Sequence, residues 1–191
     1  LVGRIRAKNF KALQQDTLKP LFNRALMAQY PPGSTFKPVN ALIGLQEDVV
    51  FPETRYSCNM GYYAGGLHVG CHDHISPLNL IQSIQHSCNA YYCNVFRSIL
   101  DKKEFGSTSE GYNVWREHVL SLGFNQKFDT DIPNELSGFI PETSYYDKYY
   151  GENRWKSLTV ISLAIAQGEI LTTPMQLANL TATIANRGFF Y

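Results

Sequence analysis

Apolar residues recur at spacings of three and four in several stretches of the chain, and the segments between them show almost no period. Val39 to Gln46 is apolar with few breaks, which predicts a buried helix. From Pro77 the apolar positions are Leu78, Ile81 and Ile84, then Tyr91, Val95 and Ile99. They predict two helices interrupted at "HSCN", because Ser87 and Asn89 are poor mid-helix residues and good caps. "YNVWREHVLSLGF" predicts a further helix ended by Gly123, and "SLTVISLAIAQG" a buried one. The last helix has the clearest boundaries: Thr173 caps it, Pro174 takes the first helical position, and Gly188 stops it. Residues 1–33 have little helical period until "LFNRALMAQY", a short helix or an extended run. Residues 50–76 read as a structured loop rich in Gly, His, Cys and Tyr, and 124–156 as a loop. The apolar end "RGFFY" reads like the start of a strand. The expected class is therefore mainly α.

Composition narrows the picture only a little. The 191 residues suffice for one domain with a core, and 44% hydrophobic with 17% charged residues is globular. A formal net charge of +1 gives no reason to expect a nucleic-acid partner. The Tyr and Phe content suits a large groove and suits core packing equally well. No apolar run approaches the length that crosses a bilayer. The start at Leu1 and the apolar end suggest a piece of a longer protein, so missing targeting signals do not bear on location.

Candidate chemistry begins at "YPPGSTFKPVN". Positions three apart on a helix share a face, so the Ser34 hydroxyl and the Lys37 amine can meet. A helix start offers unpaired N–H groups, and an amine of depressed pKa can take a serine proton. Pro31 and Pro32 stiffen the approach, and Gly33 lets the backbone come close to a substrate. Ser-x-x-Lys alone also describes a capping serine followed by a surface lysine. Downstream, "HSCNAYY" brings Ser87, a hydroxyl able to relay a proton, and Asn89, an amide able to hold both the lysine and a substrate amide. A double helix cap is the bland alternative there. The order Ser-x-x-Lys then Ser-x-Asn is shared by penicillin-binding proteins and class A β-lactamases.

With "NRALMAQYPPGSTFKPVNALIGLQE", "SIQHSCNAYY", "DTDIPNELSGFIP" and "AIAQGEILTTPMQLANLTATIANRG" in that order, nearly the whole chain resembles the transpeptidase domain of class B penicillin-binding proteins, in particular the penicillin-binding protein 2 branch of cell elongation. The resemblance implies the helical part of the α/β β-lactamase/transpeptidase-like fold, with most of the central sheet outside the chain. Residues 1–191 would be a partial transpeptidase domain. It implies a peptidoglycan D,D-transpeptidase that cross-links stem peptides through a serine acyl-enzyme and is acylated by β-lactam antibiotics. Ser34 would be the nucleophile, Lys37 its base, Ser87 the proton relay, and Asn89 the group that positions Lys37 and the substrate amide. The family's Lys-Thr/Ser-Gly motif is absent; "WKSLTV" comes nearest and lacks the glycine. The resemblance also implies a periplasmic domain on an inner-membrane anchor, with a membrane glycosyltransferase of the shape, elongation and sporulation family as partner. A β-lactam sensor shares Ser-x-x-Lys, but "DIPNELSGFIP" and the "GEILTTPMQLAN" helix favour the biosynthetic enzyme. No motif for a deacylating water stands out, which argues against a β-lactamase. A structural zinc-bound helical fragment describes the isolated chain.

The cysteines add a second theme. Cys58, Cys71, His74 and Cys88 offer a tetrahedral Cys3His set for structural Zn2+, with His72 able to replace His74. A disulfide and buried free thiols are the competing readings. Some relatives in the resembled branch hold a metal near the active site in this way, one ligand lying inside Ser-x-Asn as Cys88 does here. Zinc on Cys88 would tether the loop carrying Ser87 and Asn89 to the 58–74 loop. His68 and His86 are expected to be surface or packing residues, and Cys93 a buried apolar one. No organic cofactor is expected.

Overall fold

The computed structural model describes residue 3 and residues 5–190. It is largely helical. Helix α1 covers Arg6–Gln15, α2 Arg24–Met27, α3 Lys37–Gln46, α4 Leu80–Gln85, α5 Asn89–Leu100, α6 Thr108–Ser121, α7 Thr143–Tyr150 and α8 Pro174–Ala185. A hairpin of β1 (Gly61–Ala64) and β2 (Leu67–Gly70) lies between α3 and α4. Among the described residues the only other β structure is three isolated bridges, Tyr30 with Thr172, Tyr56 with Leu78 and Phe139 with Leu171.

Helix α5 is the axis of the core. Tyr91, Tyr92, Cys93, Val95, Phe96, Ile99 and Leu100 along it are all buried. The helix packs against α3, α6, the hairpin and a 3-10 turn at Ile161–Ile165. Phe36, Phe96 and Tyr112 surround Trp115 on α6, and Tyr112 meets Tyr146 of α7 edge-on at 5.3 Å between centroids. Helix α8 begins as its residues predict: Thr173 and Gln176 form a reciprocal capping box, with Pro174 behind it.

Several expectations are corrected. The 1–33 segment holds helix α1, which has no buried residue and therefore no apolar face to leave a period. The 50–76 loop contains the hairpin, closed by the two-residue turn Gly65–Gly66 with positive φ at both positions (55° and 82°). The 124–156 loop contains α7. Helix α4 turns Leu80 and Ser83 inward, leaving Ile81 69% and Ile84 46% exposed. "SLTVISLAIAQG" forms only the 161–165 turn. That turn ends at Ala166, left-handed at φ 48°, with Ala166 N–H bonded to Leu163 O and Gln167 N–H to Ser162 O. Helix α8 closes the same way after Ala185, but its left-handed residue is Arg187 at φ 59°, the one before Gly188, whose N–H bonds to Thr183 O. Residues 189–190 form no strand, and position 191 lies outside the described residues.

Candidate active site

Ser34 sits on a 3-10 turn, Gly33–Phe36, that leads straight into α3. The expected first turn of an α-helix is thus tighter than read from the sequence, and α3 itself starts at Lys37. Gly33 adopts φ 60°, which a side chain would resist, and donates its N–H to Ala166 O at 3.1 Å. Ser34 is exposed. Lys37, one turn on, is 2% exposed, with Pro38 behind it where a missing N–H costs least.

The Lys37 ammonium is spent on the second motif. Its Nζ donates to Ser87 Oγ at 2.9 Å, to Asn89 Oδ1 at 2.6 Å and to the Ser87 carbonyl. Burial pushes its pKa below the ordinary lysine value, against an opposing pull from Cys71, Cys88 and Cys93. The face of Tyr92 lies 5.8 Å from Nζ.

Ser87 owes its place to how α4 ends. Cys88 N–H bonds to Ser83 O and Ser87 N–H to Ile84 O, the double bond pattern of a Schellman stop. That pattern needs a left-handed residue, usually glycine, and Ser87 fills it at φ 50°. Helix α5 then starts at Asn89, with Cys88 Sγ accepting from Tyr91 N–H as its cap. Asn89 is held from a third side by the hairpin. Its Nδ2 donates to Gly70 O at 2.8 Å and its backbone N–H to Cys71 Sγ at 3.3 Å.

The thiol cluster adjoins this pair. One ligand atom from each of Cys58, Cys71, His74 and Cys88 lies within 4.8 Å of all the others. His74 is the histidine of the group, not His72, whose ring stands 5.3 Å from that of His74. His74 Nδ1 pairs with the Ile75 carbonyl at 2.6 Å and Nε2 faces Cys71 Sγ at 3.5 Å. A metal-binding histidine has this arrangement, with one nitrogen fixed on a carbonyl and the other turned to the ligands. Burial raises the Cys88 thiol to about 12. Cys71 resists the same effect through hydrogen bonds from Asn89, His74 and Cys58, and falls to about 7. All four cysteines are free, and Cys93 is buried. The donor set and its spacing fit a closed Cys3His zinc site. Elsewhere, His68 stacks on Tyr63 at 4.4 Å.

The structure thus brings Lys37, Ser87 and Asn89 into direct contact, with Ser34 one turn away at the surface. Sequence reasoning missed two groups that hold them: the Gly70 carbonyl, which accepts from Asn89, and the Ala166 carbonyl, which accepts from Gly33 beside Ser34. The Gly-Gly turn was the available signal for the first.

The family model for the penicillin-binding protein transpeptidase domain matches residues 4–191. The chain belongs to this family. Within it, the peptidoglycan D,D-transpeptidase MrdA of Acinetobacter baumannii is 30% identical, covering 96% of this chain and 26% of its own length. The chain therefore spans about a quarter of that relative. The penicillin-binding protein 2 of Pseudomonas aeruginosa, solved in complex with WCK 5153, superposes with a TM-score of 0.75 at 29% identity, covering 96% of this chain and 40% of that one. A structure described as the coordination of polymerization and crosslinking by a peptidoglycan synthase complex gives 0.76 at 28% identity, covering 94% of this chain and 29% of that one. The largely helical architecture agrees with the helical part of this family's transpeptidase fold. No described helix is long and apolar enough to cross a membrane.

Proposed function

We propose that the protein carrying this chain is a peptidoglycan D,D-transpeptidase and that residues 1–191 supply the helical part of its active site. The observation that carries this reading is the buried Lys37 Nζ bonded to Ser87 Oγ and Asn89 Oδ1, one turn from exposed Ser34. Lys37 must first shed one of the three protons it donates, a loss that its lowered pKa favours, and the neutral amine then takes the proton as Ser34 Oγ attacks the carbonyl of the penultimate D-Ala of a stem peptide. The C–N bond breaks, and the proton passes through Ser87 Oγ to the departing D-Ala amine. An amine of a second stem peptide then attacks the ester, the acyl–Oγ bond breaks, and the proton returns to Ser34. Asn89 keeps Lys37 in place and offers a second amide hydrogen to the substrate. β-Lactams acylate Ser34 by the same attack, with the ring amide as the bond broken.

Cys58, Cys71, His74 and Cys88 would hold Zn2+ as a structural ion that fixes the Ser87–Asn89 loop to the hairpin. The domain would be periplasmic on an inner-membrane anchor, working beside a membrane glycosyltransferase. The relative described within a peptidoglycan synthase complex supports that pairing.

The test is intact mass of the full-length protein after β-lactam exposure, with zinc measured on the same sample. One adduct on Ser34, absent in Ser34→Ala, and one equivalent of zinc, lowered in Cys58→Ser, are expected. No adduct, or one elsewhere, would sink the catalytic assignment. Protein isolated free of metal would sink the zinc site.

A further inference from the structure

Segment 30–40, which carries Ser34 and Lys37, is tied at three points to segment 164–172. Tyr30 exchanges two backbone hydrogen bonds with Thr172, each 2.9 Å. Gly33 N–H donates to Ala166 O. The third tie is a side chain: Asn40 Nδ2 donates to Ala164 O at 2.9 Å. The two backbone ties precede Ser34. Asn40 supplies the one beyond Lys37, so the nucleophile and its base are bracketed by bonds to one short stretch of chain.

Asn40 is itself held. Trp115 Nε1 on α6 donates to its Oδ1 at 2.8 Å, and both residues are 0% exposed. Burying an amide and an indole N–H in an aromatic core is costly unless each finds a partner, and here each does. A leucine would fill the position without that requirement. What the amide adds is direction, since it fixes the rotation and height of α3 against Ala164 and α6 together.

We propose that Asn40 is a positioning residue for acylation, acting through the Asn40–Ala164 bond to set where Ser34 and Lys37 stand relative to Asn89. This rests on the reading of Ser34 as nucleophile. A bound carbonyl must meet Ser34 Oγ at a fixed distance and angle, and a small displacement of α3 alters that approach far more than it alters non-covalent binding.

The experiment separates these effects. Acylation of the full-length protein by a fluorescent penicillin is followed at several concentrations, which gives the dissociation constant of the non-covalent complex and the rate constant of the covalent step. Asn40→Leu is expected to slow the covalent step about tenfold to a hundredfold, with the dissociation constant within about threefold of wild type. The double variant Asn40→Leu with Trp115→Phe also removes the orphaned indole N–H. Because it also loses the indole's packing against Phe36, Phe96 and Tyr112, no gain in melting temperature is expected, and the covalent step stays slow because the Ala164 tie is still missing. A covalent step at the wild-type rate in either folded variant overturns the proposal, as does recovery of rate together with stability in the double variant. A wild-type protein without an adduct on Ser34 would instead remove the underlying transpeptidase reading, and this inference with it.

Discussion

Ser87 joins local backbone geometry to chemistry. It occupies the left-handed stop of α4, where glycine is the usual occupant, and keeps a hydroxyl there for Lys37. The strain and the hydroxyl can be separated. Ser87→Gly and Ser87→Ala both remove the hydroxyl, and only alanine keeps the steric cost of positive φ. The glycine variant is expected to be more stable than the alanine variant by about 1 kcal/mol in denaturant unfolding. Both are expected to lose on the order of a hundredfold in acylation. Equal stability of the two would mean that the turn does not store the strain at this residue.

Between elements, Glu47 at the end of α3 is the main ionic fastener. It accepts from Lys102, which follows α5, at 3.1 Å and from His118 on α6 at 2.7 Å. Burial alone would raise its carboxyl, but the hydrogen bonds from His118 and Lys102 outweigh burial and hold the pKa below the ordinary value. A depressed carboxylate contributes stability above the unfolded pKa, about 4.3, and loses it as pH falls through the lower folded value. Glu47→Ala is therefore expected to cost about 1–2 kcal/mol near neutral pH, and the gap to wild type should close in acid. A gap that persists undiminished in strong acid would show that packing, not charge, joins these helices. The same scale shows what the sequence reveals. Helix α8 is legible because capping chemistry is local. The 161–165 turn is misread because nothing in "AIAQG" announces a left-handed alanine. Helix α1 leaves no pattern because it buries nothing. Ser34, Lys37, Ser87 and Asn89 are legible as motifs, whereas Asn40 takes its meaning only from Ala164 and Trp115, far away in sequence.

For the whole molecule, the constellation in residues 1–191 lacks one side. No Lys-Thr/Ser-Gly segment occurs in the sequence, and the resemblance implies that this motif lies on a further strand, which would bind the substrate carboxylate and supply an oxyanion N–H. Residues 1–191 prepared alone are therefore expected to react with a fluorescent penicillin at least about a hundredfold more slowly than the full-length protein. Rapid stoichiometric labelling of Ser34 in the short protein would mean that the helical part completes its own site.

The ties between segments 30–40 and 164–172 also bear on how the protein is made. The Asn40–Ala164 bond joins residues 124 positions apart. A ribosome delivers Ser34 early and its anchors late, and closing so long a loop is slow compared with forming local helices. Ser34 and Lys37 therefore leave the ribosome without the partners that orient them. On the proposed reading of Ser34, reactivity would be acquired only once these ties close, so a nascent or partly folded chain would present the serine without a competent active site.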